Sequence, residues 1–327
     1  MRRALDLAAR GRYSVSPNPM VGCLLVRDGT VIAEGWHHRA GEPHAEIEAL
    51  RGVDARGATM IVTLEPCVHH GRTPPCVNAI ITAGITRVVI AMRDPHEVAA
   101  GGVEKLREAG IEVVTGILES DARKLNEVFA HAVTNHRPFV VLKAGMTLDG
   151  KLATVTRESR WITSEAARRK SLELREEYDA ILTGAGTIRA DNPQLTRRVG
   201  LNSAATPWTR IILDRRRIVP ADATVLTDGG NTIHITEDVY LDSLLADLYK
   251  RGIHSLIVEG GSFVLSEFIR RRLWQKMIVF IAPMIVGGAE APSVFGGEGV
   301  AKLADAYRFR FDGVEVVGSD VMVTAYP

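Results

Sequence analysis

The sequence has few cysteines, almost no net charge and no long apolar run. Three cysteines among 327 residues, an odd number, argue against a disulfide framework and for metal or catalytic use. A net charge of +1 offers no basic field, so we expect no nucleic-acid partner. No run of 18 apolar residues is present and the N-terminus lacks a signal peptide's apolar segment, so we expect no membrane partner and a cytoplasmic protein.

The order of apolar segments predicts two α/β domains. Predicted helices and strands alternate up to about residue 118, beginning with a hairpin around Asp28-Gly29. A helical connector over 120–135 and Arg137-Pro138 follow. A second series then starts at FVVLKAGM and continues through the predicted strands DAILTG, RIILD, SLIVEGG and KMIVFIAP, with helices over 164–177, 240–251 and 263–271. A chain of this length accommodates two cores of roughly 150 residues each, so we predict domains 1–137 and 138–327.

His44, Cys67 and Cys76 form the most informative pattern in the first domain. One imidazole and two thiolates fill three tetrahedral positions on Zn²⁺ and leave the fourth for water, as in catalytic zinc sites. Both cysteines are predicted at helix starts, where backbone amides favour the thiolate. Glu46, two residues after His44, can move protons without binding the metal. The order H-x-E followed by P-C-x-n-C is the signature of zinc nucleobase deaminases.

Two other interpretations of this pattern remain open. A structural zinc site would be closed by a fourth Cys or His, for which His69 and His70 are candidates. The residues could also be unrelated buried side chains. Cys23 lies within an apolar predicted strand and is expected to be a small core residue rather than a ligand.

The chain resembles the bifunctional deaminase/reductases of riboflavin biosynthesis. Cytidine and tRNA-adenosine deaminases place two residues between the cysteines, whereas eight separate them here, in CVHHGRTPPC. The segments SPNPMVGC, RAGEPHAEIEAL, VTLEPC, KAGMTLDGKLA, RWITS, ILTGAGTIRADNPQLT and VEGG are similar to motifs of that family. The resemblance runs nearly end to end. It implies an N-terminal three-layer α/β domain like cytidine deaminase and a C-terminal α/β domain like dihydrofolate reductase.

The resemblance also implies two reactions on one pyrimidine nucleotide. The first is hydrolysis of the 2-amino group of a 2,5-diamino-6-ribosylamino-pyrimidinone 5′-phosphate, with zinc held by His44, Cys67 and Cys76 and Glu46 as the proton shuttle. In this domain it implies substrate contacts from Asn18, Arg72 and Thr73, and from His37 or His38. Asn18 could equally be a turn former.

The second implied reaction is hydride transfer from NADPH to C1′ of the ribose. Lys151 is implied to assist opening of the ribose ring, with Glu259 opposite, although the two could form only a structural ion pair. Implied cofactor contacts are Gly145, Trp161, Thr187, Asp191 and the loop from Gly261. Implied substrate contacts are Ser159, Arg175, Leu195, Arg198 and Glu259. Arg175 and Arg198 would hold the phosphate as guanidinium forks, unless they are solvated surface residues.

Arg215, Arg216 and Arg217 follow a predicted strand and suit the 2′-phosphate of NADPH, although a run of charge is usually only solvated. The sequence departs from the family after Asp94-Pro95, where His96 replaces the usual asparagine. A paralogue with an idle domain, a nucleic-acid base deaminase and a zinc-stabilised nucleotide-binding module remain alternatives. Sheet edges in such α/β enzymes often assemble, so we expect a homo-oligomer.

Overall fold

The computed structural model describes residues 1–69, 74–202 and 207–327. The chain divides into two compact units, one built on Met1–Arg137 and the other beginning at Pro138. Among the described residues, none of the helices has both the length and the apolar character needed to span a bilayer.

The first unit is a five-stranded sheet covered by helices. Its elements are α1 (Arg2–Ala8), β1 (Gly22–Arg27), β2 (Thr30–Trp36), α2 (Ala45–Leu50), β3 (Thr59–Leu64), α3 (Cys76–Thr82), β4 (Arg87–Met92), α4 (Gly102–Glu108), β5 (Glu112–Thr115), α5 (Glu119–Leu125) and α6 (Glu127–Asn135). The strand order is β2-β1-β3-β4-β5, in which β1 is antiparallel to both neighbours and β3, β4 and β5 are parallel.

Both faces of this sheet are buried, as the alternation of side chains along β1 shows. Leu24 packs in one cluster with Leu7 of α1, whereas Cys23 and Leu25 belong to a larger cluster with Ala49 of α2. Successive strand residues point to opposite faces, so helices lie on both sides of the sheet. The predicted three-layer arrangement and the core position of Cys23 are confirmed.

The second unit is built on an eight-stranded sheet. Its elements are β6 (Phe139–Thr147), α7 (Glu165–Arg175), β7 (Ala180–Gly184), α8 (Ala185–Asp191), β8 (Thr209–Leu213), α9 (Thr224–Thr227), β9 (Thr232–Ile235), α10 (Leu241–Lys250), β10 (Ser255–Glu259), α11 (Ser262–Arg270), β11 (Lys276–Ala282), β12 (Arg310–Val317) and β13 (Asp320–Tyr326). The strand order is β12-β13-β11-β6-β10-β7-β8-β9.

Parallel pairing in this sheet determines which strand ends lie together. The strands from β11 to β9 are parallel, and only β13 and β12 run antiparallel to their neighbours. The carboxyl ends of β6, β7 and β10 therefore meet at one edge, where ligands of open α/β sheets bind. The segments that carry Lys151, Thr187 and Gly261 follow these three ends.

Candidate functional site

Three metal-binding side chains converge in the first unit. His44 directly precedes α2, Cys67 follows β3 in a loop, and Cys76 is the first residue of α3. Nδ1 of His44 lies 3.2 Å from Sγ of Cys76 and 3.6 Å from Sγ of Cys67. The three donor atoms all lie within 4.8 Å of one another. The structure thus brings together the three predicted ligands.

The spacing of these atoms fits a tetrahedral zinc ion. Bonds of about 2.1 Å to nitrogen and 2.3 Å to sulfur place the nitrogen and sulfur ligands roughly 3.5 Å apart. The two observed distances lie on either side of that value. Among the described residues, His69 does not join this group, and His70 lies outside them. Three protein ligands with the fourth position left for water are typical of catalytic zinc.

Cys76, the first residue of α3, favours the thiolate form of Cys67, which is the form that binds metal. Cys67 is not at a helix start, so that prediction is wrong; instead the backbone N–H of Cys76 donates to Sγ of Cys67 at 3.4 Å. A hydrogen bond from the Cys76 thiol has the largest effect on Cys67 and lowers its pKa to about 4 against the opposing effect of burial, with smaller contributions from His44 and from the Cys76 backbone N–H. The hydrogen bond between the two thiols, together with burial, raises the pKa of Cys76. Cys67 therefore offers a thiolate at neutral pH.

Glu46 is buried beside this group without belonging to it. It is the second residue of α2 and only 4% of its surface is exposed. Burial raises the pKa of its carboxyl above the usual range, and the charge of His44 partly opposes this shift. A carboxyl whose pKa is raised in this way is suited to accept and return a proton during general acid–base catalysis.

Asn18 is oriented by a buried histidine. Nδ1 of His37 lies 3.1 Å from the carbonyl oxygen of Pro43, which can only accept, so this nitrogen carries the proton. Nε2 of His37 then accepts from Nδ2 of Asn18 at 3.0 Å. Oδ1 of Asn18 is not engaged by this contact and can accept from a ligand. His38 instead stacks on Trp36, with ring centroids 4.1 Å apart.

Asn126 is a residue of this region that the sequence analysis missed. Its side-chain amide accepts from the backbone N–H of Met20 at 2.7 Å and donates to the carbonyl oxygen of Met20 at 2.9 Å. This pairing holds the turn that carries Asn18, across 106 residues of sequence. Arg72 and Thr73, the other predicted contacts of this domain, lie outside the described residues.

The segment after β4 carries two titratable groups. The backbone N–H of His96 donates to Oδ1 of Asp94 at 2.8 Å, and burial raises the pKa of Asp94 to about 6. Nδ1 of His96 is buried and has no hydrogen-bond partner among the described residues. The segment is held by buried Glu65, which accepts from the backbone N–H of Asp94 and from Arg93.

In the second unit, Glu259 is paired with Arg175 and Lys143. Nε and Nη2 of Arg175 donate to the two carboxylate oxygens at 2.7 and 2.9 Å, and Nζ of Lys143 lies 3.5 Å away. Burial alone would raise the pKa of Glu259, but the two cations outweigh it and lower the pKa to about 2. The ion pair between Glu259 and Lys151 that the sequence left open is therefore wrong for the described residues, because Arg175 and Lys143 occupy the carboxylate and Nζ of Lys151 lies on Ala291 and Ser293 instead. Lys143, which the sequence analysis did not single out, pairs with Glu259 in the register of β6 and β10.

Lys151 lies in a turn fixed by Asp149. Oδ1 of Asp149 accepts from Oγ1 of Thr147, and its carboxylate also accepts the backbone N–H groups of Val286 and Gly287. Nζ of Lys151 donates to the carbonyl oxygen of Ala291 at 3.2 Å and lies 3.4 Å from Oγ of Ser293. The ammonium is therefore held by neutral oxygens.

The glycines before α11 allow the backbone to approach β7 closely. Gly260 has φ +144°, and a Cβ there would lie 2.4 Å from Oγ1 of Thr183. The backbone N–H of Gly261 donates to Oγ1 of Thr187 at 3.2 Å. Two predicted cofactor contacts, Thr187 and Gly261, are therefore adjacent at this edge of the sheet.

The other predicted cofactor residues lie on β6, in the segment between β6 and α7, and at the end of α8. Gly145 is on β6, where a Cβ would lie 3.1 Å from Cγ2 of Thr163. Trp161 is 66% exposed, with the guanidinium of Arg168 over its ring at 4.3 Å. Asp191 ends α8 and its carbonyl oxygen accepts from Arg160 at 2.9 Å. The predicted substrate contact Ser159 precedes Arg160 and is half-buried.

Arg215 makes an ion pair only at the surface. Its guanidinium lies 3.3 Å from Asp238, and both side chains are exposed. Asp214 is instead buried and accepts the backbone N–H groups of Ile218 and Val219. The loop that carries Arg215–Arg217 is thus fixed at its base while its first arginine faces solvent.

Leu195 and Arg198 lie in the loop after α8. Leu195 as a whole is 3% exposed, and its carbonyl oxygen accepts from Nε1 of Trp208, so little of this residue is open to a ligand in this arrangement. The guanidinium of Arg198 is exposed and donates to Oγ1 of Thr196 and Oε1 of Gln194, both at 3.0 Å.

Comparisons with known proteins match both units. Residues 138–323 match the family model of the RibD C-terminal domain, and residues 1–92 match the cytidine and deoxycytidylate deaminase zinc-binding region. The riboflavin biosynthesis protein RibD of Bacillus amyloliquefaciens is 40% identical, with 100% of this chain and 95% of that protein covered. The protein of the same name from Escherichia coli (strain K12) is 41% identical, with 98% and 96% covered.

Two solved structures are similar over the whole chain. Acinetobacter baumannii RibD gives a TM-score of 0.91 at 38% identity and covers 100% of this chain and 97% of its own. A diaminohydroxyphosphoribosylaminopyrimidine deaminase/5-amino-6-(5-phosphoribosylamino)uracil reductase from Thermotoga maritima gives 0.90 at 42% identity, with the same coverage.

Proposed function

Because the chain belongs to the RibD family of riboflavin-biosynthesis deaminase/reductases, we propose that its two units carry out consecutive reactions on one pyrimidine nucleotide. The chain is a bifunctional deaminase and reductase that uses zinc and NADPH. Residues 1–137 are the deaminase and residues 138–327 the reductase. The substrate of the first reaction is 2,5-diamino-6-ribosylamino-4(3H)-pyrimidinone 5′-phosphate, and the deaminated product is the substrate of the second.

The convergence of His44, Cys67 and Cys76 beside buried Glu46 is the observation that carries this proposal. Zinc bound there would supply a Lewis acid that lowers the pKa of a water molecule to about 7. Glu46 accepts the proton of the attacking water and delivers it to the leaving 2-amino nitrogen, so that ammonia departs. Asn18, held by His37, offers Oδ1 to an N–H of the pyrimidine edge.

The reductase site is proposed at the carboxyl edge of the second sheet. NADPH bound at this edge would supply a hydride for C1′ of the opened ribose. Lys151 provides the proton for ring opening from an ammonium held by two neutral oxygens. Glu259 is kept ionised by Arg175 and Lys143, so it acts as a hydrogen-bond acceptor for the sugar rather than as an acid.

For the remaining residues we propose the ligand contacts that the resemblance to the family implies. Arg198 and Arg175 meet the substrate phosphate, with Ser159 and Leu195 beside them. Proposed cofactor contacts are Gly145, Trp161, Thr187, Asp191, Arg215 and Gly261. Free thiols at Cys23, Cys67 and Cys76 fit action in the reducing cytoplasm, which we include in the proposal.

We also propose that the chain forms a homo-oligomer through β12. This strand is at the edge of its sheet and almost wholly exposed, with Val314 and Val316 at 65% and 77% exposure. An unpaired apolar edge is a template for pairing with a second copy. Sedimentation equilibrium of the purified chain tests this directly, and a monomer at micromolar concentration would refute it.

Separate assays of the two activities test the proposed function. Purified chain loaded with zinc should release ammonia from the diaminopyrimidine nucleotide without NADPH. It should then oxidise NADPH when given the deaminated nucleotide. Ammonia release without any NADPH oxidation would indicate a paralogue with an idle reductase unit. Loss of both, with zinc bound, would indicate a binding module.

A further inference from the structure

The backbone carbonyl oxygens of three consecutive residues in the loop after α8 each accept a hydrogen bond from a side chain outside the loop. The pairs are Gln194 with Nη1 of Arg210 at 2.9 Å, Leu195 with Nε1 of Trp208 at 2.7 Å, and Thr196 with Nη1 of Arg175 at 3.2 Å. Leu195 has φ +53°, in the left-handed region that bulky residues rarely occupy. Such a conformation persists only where surrounding contacts impose it, and these three contacts do so.

Arg210 is a rigid anchor for this loop. Its side chain is 2% exposed, and its two Nη atoms each donate to a carboxylate oxygen of Asp228 at 2.7 Å. Nε donates to Oγ1 of Thr232, and Nη2 also donates to the carbonyl oxygen of Val225. With these partners on β9 and α9, the guanidinium cannot follow a displacement of the loop.

Trp208 is fixed by stacking as well as by its hydrogen bond. The guanidinium of Arg197 lies 4.6 Å from the centre of its ring. Nε and Nη2 of Arg197 donate to the carbonyl oxygens of Arg175 and Tyr178. The indole N–H therefore meets the carbonyl oxygen of Leu195 from a fixed direction.

The three hydrogen bonds to the carbonyl oxygens of Gln194–Thr196 form a clamp on this loop. The orientation of the Arg198 guanidinium depends on this clamp. Its guanidinium donates to side-chain oxygens of Gln194 and Thr196. The backbones of these two residues are the ones held by Arg210 and Arg175. A shift of the Gln194–Thr196 backbone would therefore turn the Arg198 guanidinium.

We infer that Trp208 and Arg210 are positioning residues for the reduction, holding Gln194–Thr196 so that Arg198 faces the substrate phosphate. The inference rests on the proposed function, in which Arg198 binds that phosphate. Neither residue touches the substrate. Their effect is therefore on substrate affinity and not on NADPH affinity.

Trp208→Phe is the sharpest variant, because it keeps an aromatic ring under Arg197 while it removes the N–H donor to Leu195. With the deaminated nucleotide as substrate, KM should rise roughly threefold to tenfold, the loss expected of one neutral hydrogen bond. The kcat, the Kd for NADPH and the deaminase activity should stay within twofold of wild type. Arg210→Lys should raise KM further. Asn231→Ala is the matched control, since it removes a hydrogen bond to Thr209 on the same strand without touching the loop.

A double-mutant cycle separates positioning from general destabilisation. If Trp208 acts through Arg198, then Trp208→Phe should raise KM in the wild-type background and leave it unchanged in an Arg198→Ala background. Equal increases in both backgrounds, or an increase matched by Asn231→Ala, would overturn the inference.

Hydrogen exchange makes this test independent of the proposed function. If the wild-type chain does not reduce the nucleotide, the proposed function fails, and exchange over residues 192–198 decides the positioning role. Faster exchange there in Trp208→Phe than in Asn231→Ala supports it, and equal exchange overturns it.

Discussion

Arg175 and Glu259, 84 residues apart in the sequence, form a bidentate ion pair between the end of α7 and the end of β10. Both side chains are nearly buried, at 13% and 12% exposure. Removing one partner of such a pair leaves an uncompensated charge, which is more costly than the pair is favourable. The pair therefore fixes one wall of the proposed reductase site. It also makes the free energy of unfolding of the second unit depend on pH.

Glu259→Gln should lower the free energy of unfolding of the second unit by about 3–5 kcal/mol at pH 7. The folded pKa of about 2 lies below the ordinary value of 4.5, so the ionised carboxylate stabilises the fold above pH 4.5. This contribution is lost as pH falls from 4.5 towards 2. Wild type and variant should then converge in urea titrations followed by tryptophan fluorescence. A difference in the free energy of unfolding between wild type and variant that stayed constant down to pH 2.5 would contradict this pKa.

Lys151→Ala should abolish most of the reduction while leaving zinc content and deamination intact. The deaminated nucleotide should accumulate, because ring opening loses its proton donor and the closed N-glycoside offers no carbon for hydride. Product analysis by mass spectrometry measures this. Lys250→Ala, which removes an exposed lysine at the end of α10, is the control. Full ribityl product from Lys151→Ala would remove this residue from the mechanism.

Replacing Arg215, Arg216 and Arg217 with alanine should weaken NADPH binding and leave NADH binding nearly unchanged. A charge-assisted hydrogen bond to the 2′-phosphate contributes about 1.5–3 kcal/mol, so the affinity should fall roughly 10- to 100-fold. Arg215 has only an exposed contact with Asp238 to give up. Parallel titrations of both cofactors are the measurement, and an unchanged Kd for NADPH would leave these arginines as surface charge.

His96→Ala should raise the deaminase KM and leave the reductase KM unchanged. Nδ1 of His96 is buried without a partner among the described residues, so it is available to bind the substrate. The pKa of Asp94, raised by burial to about 6, lies close by in the sequence, so wild type and variant must be compared at one pH. An unchanged deaminase KM would mean that His96 does not meet the substrate.

Local patterns predicted much of the fold. The hairpin at Asp28-Gly29 forms with φ of 49° and 76°, the left-handed pair that a tight two-residue turn requires. The predicted segments of α7, β10 and α11 all form, because their apolar residues recur with helix or strand periodicity. The exposed strand β12 was not predicted, since neither of its faces is buried and its alternation of apolar and charged residues, as in Val314-Glu315-Val316, is short and interrupted at Gly313.

The site was predicted less completely, because several of its contacts are long-range. The H-x-E and P-C patterns are short-range signals at the ends of helices and strands, and they identified the zinc ligands. The pairing of Asn126 with Met20 spans 106 residues and brings the junction of α5 and α6 next to the turn before β1. The clamp on Gln194–Thr196 and the contact of Lys143 with Glu259 depend likewise on sheet order, which residue spacing does not reveal.

Ammonia release by Glu46→Gln decides whether Glu46 is the proton shuttle of the zinc deaminase. General acid–base catalysis contributes roughly 10²–10⁴-fold, so deamination should fall at least 100-fold with zinc content unchanged. NADPH-dependent reduction of the deaminated nucleotide should persist. Glu48→Gln, on the same helix but in a surface pair with Arg51, should release ammonia normally. Near-normal ammonia release by Glu46→Gln would show that Glu46 is not the proton shuttle.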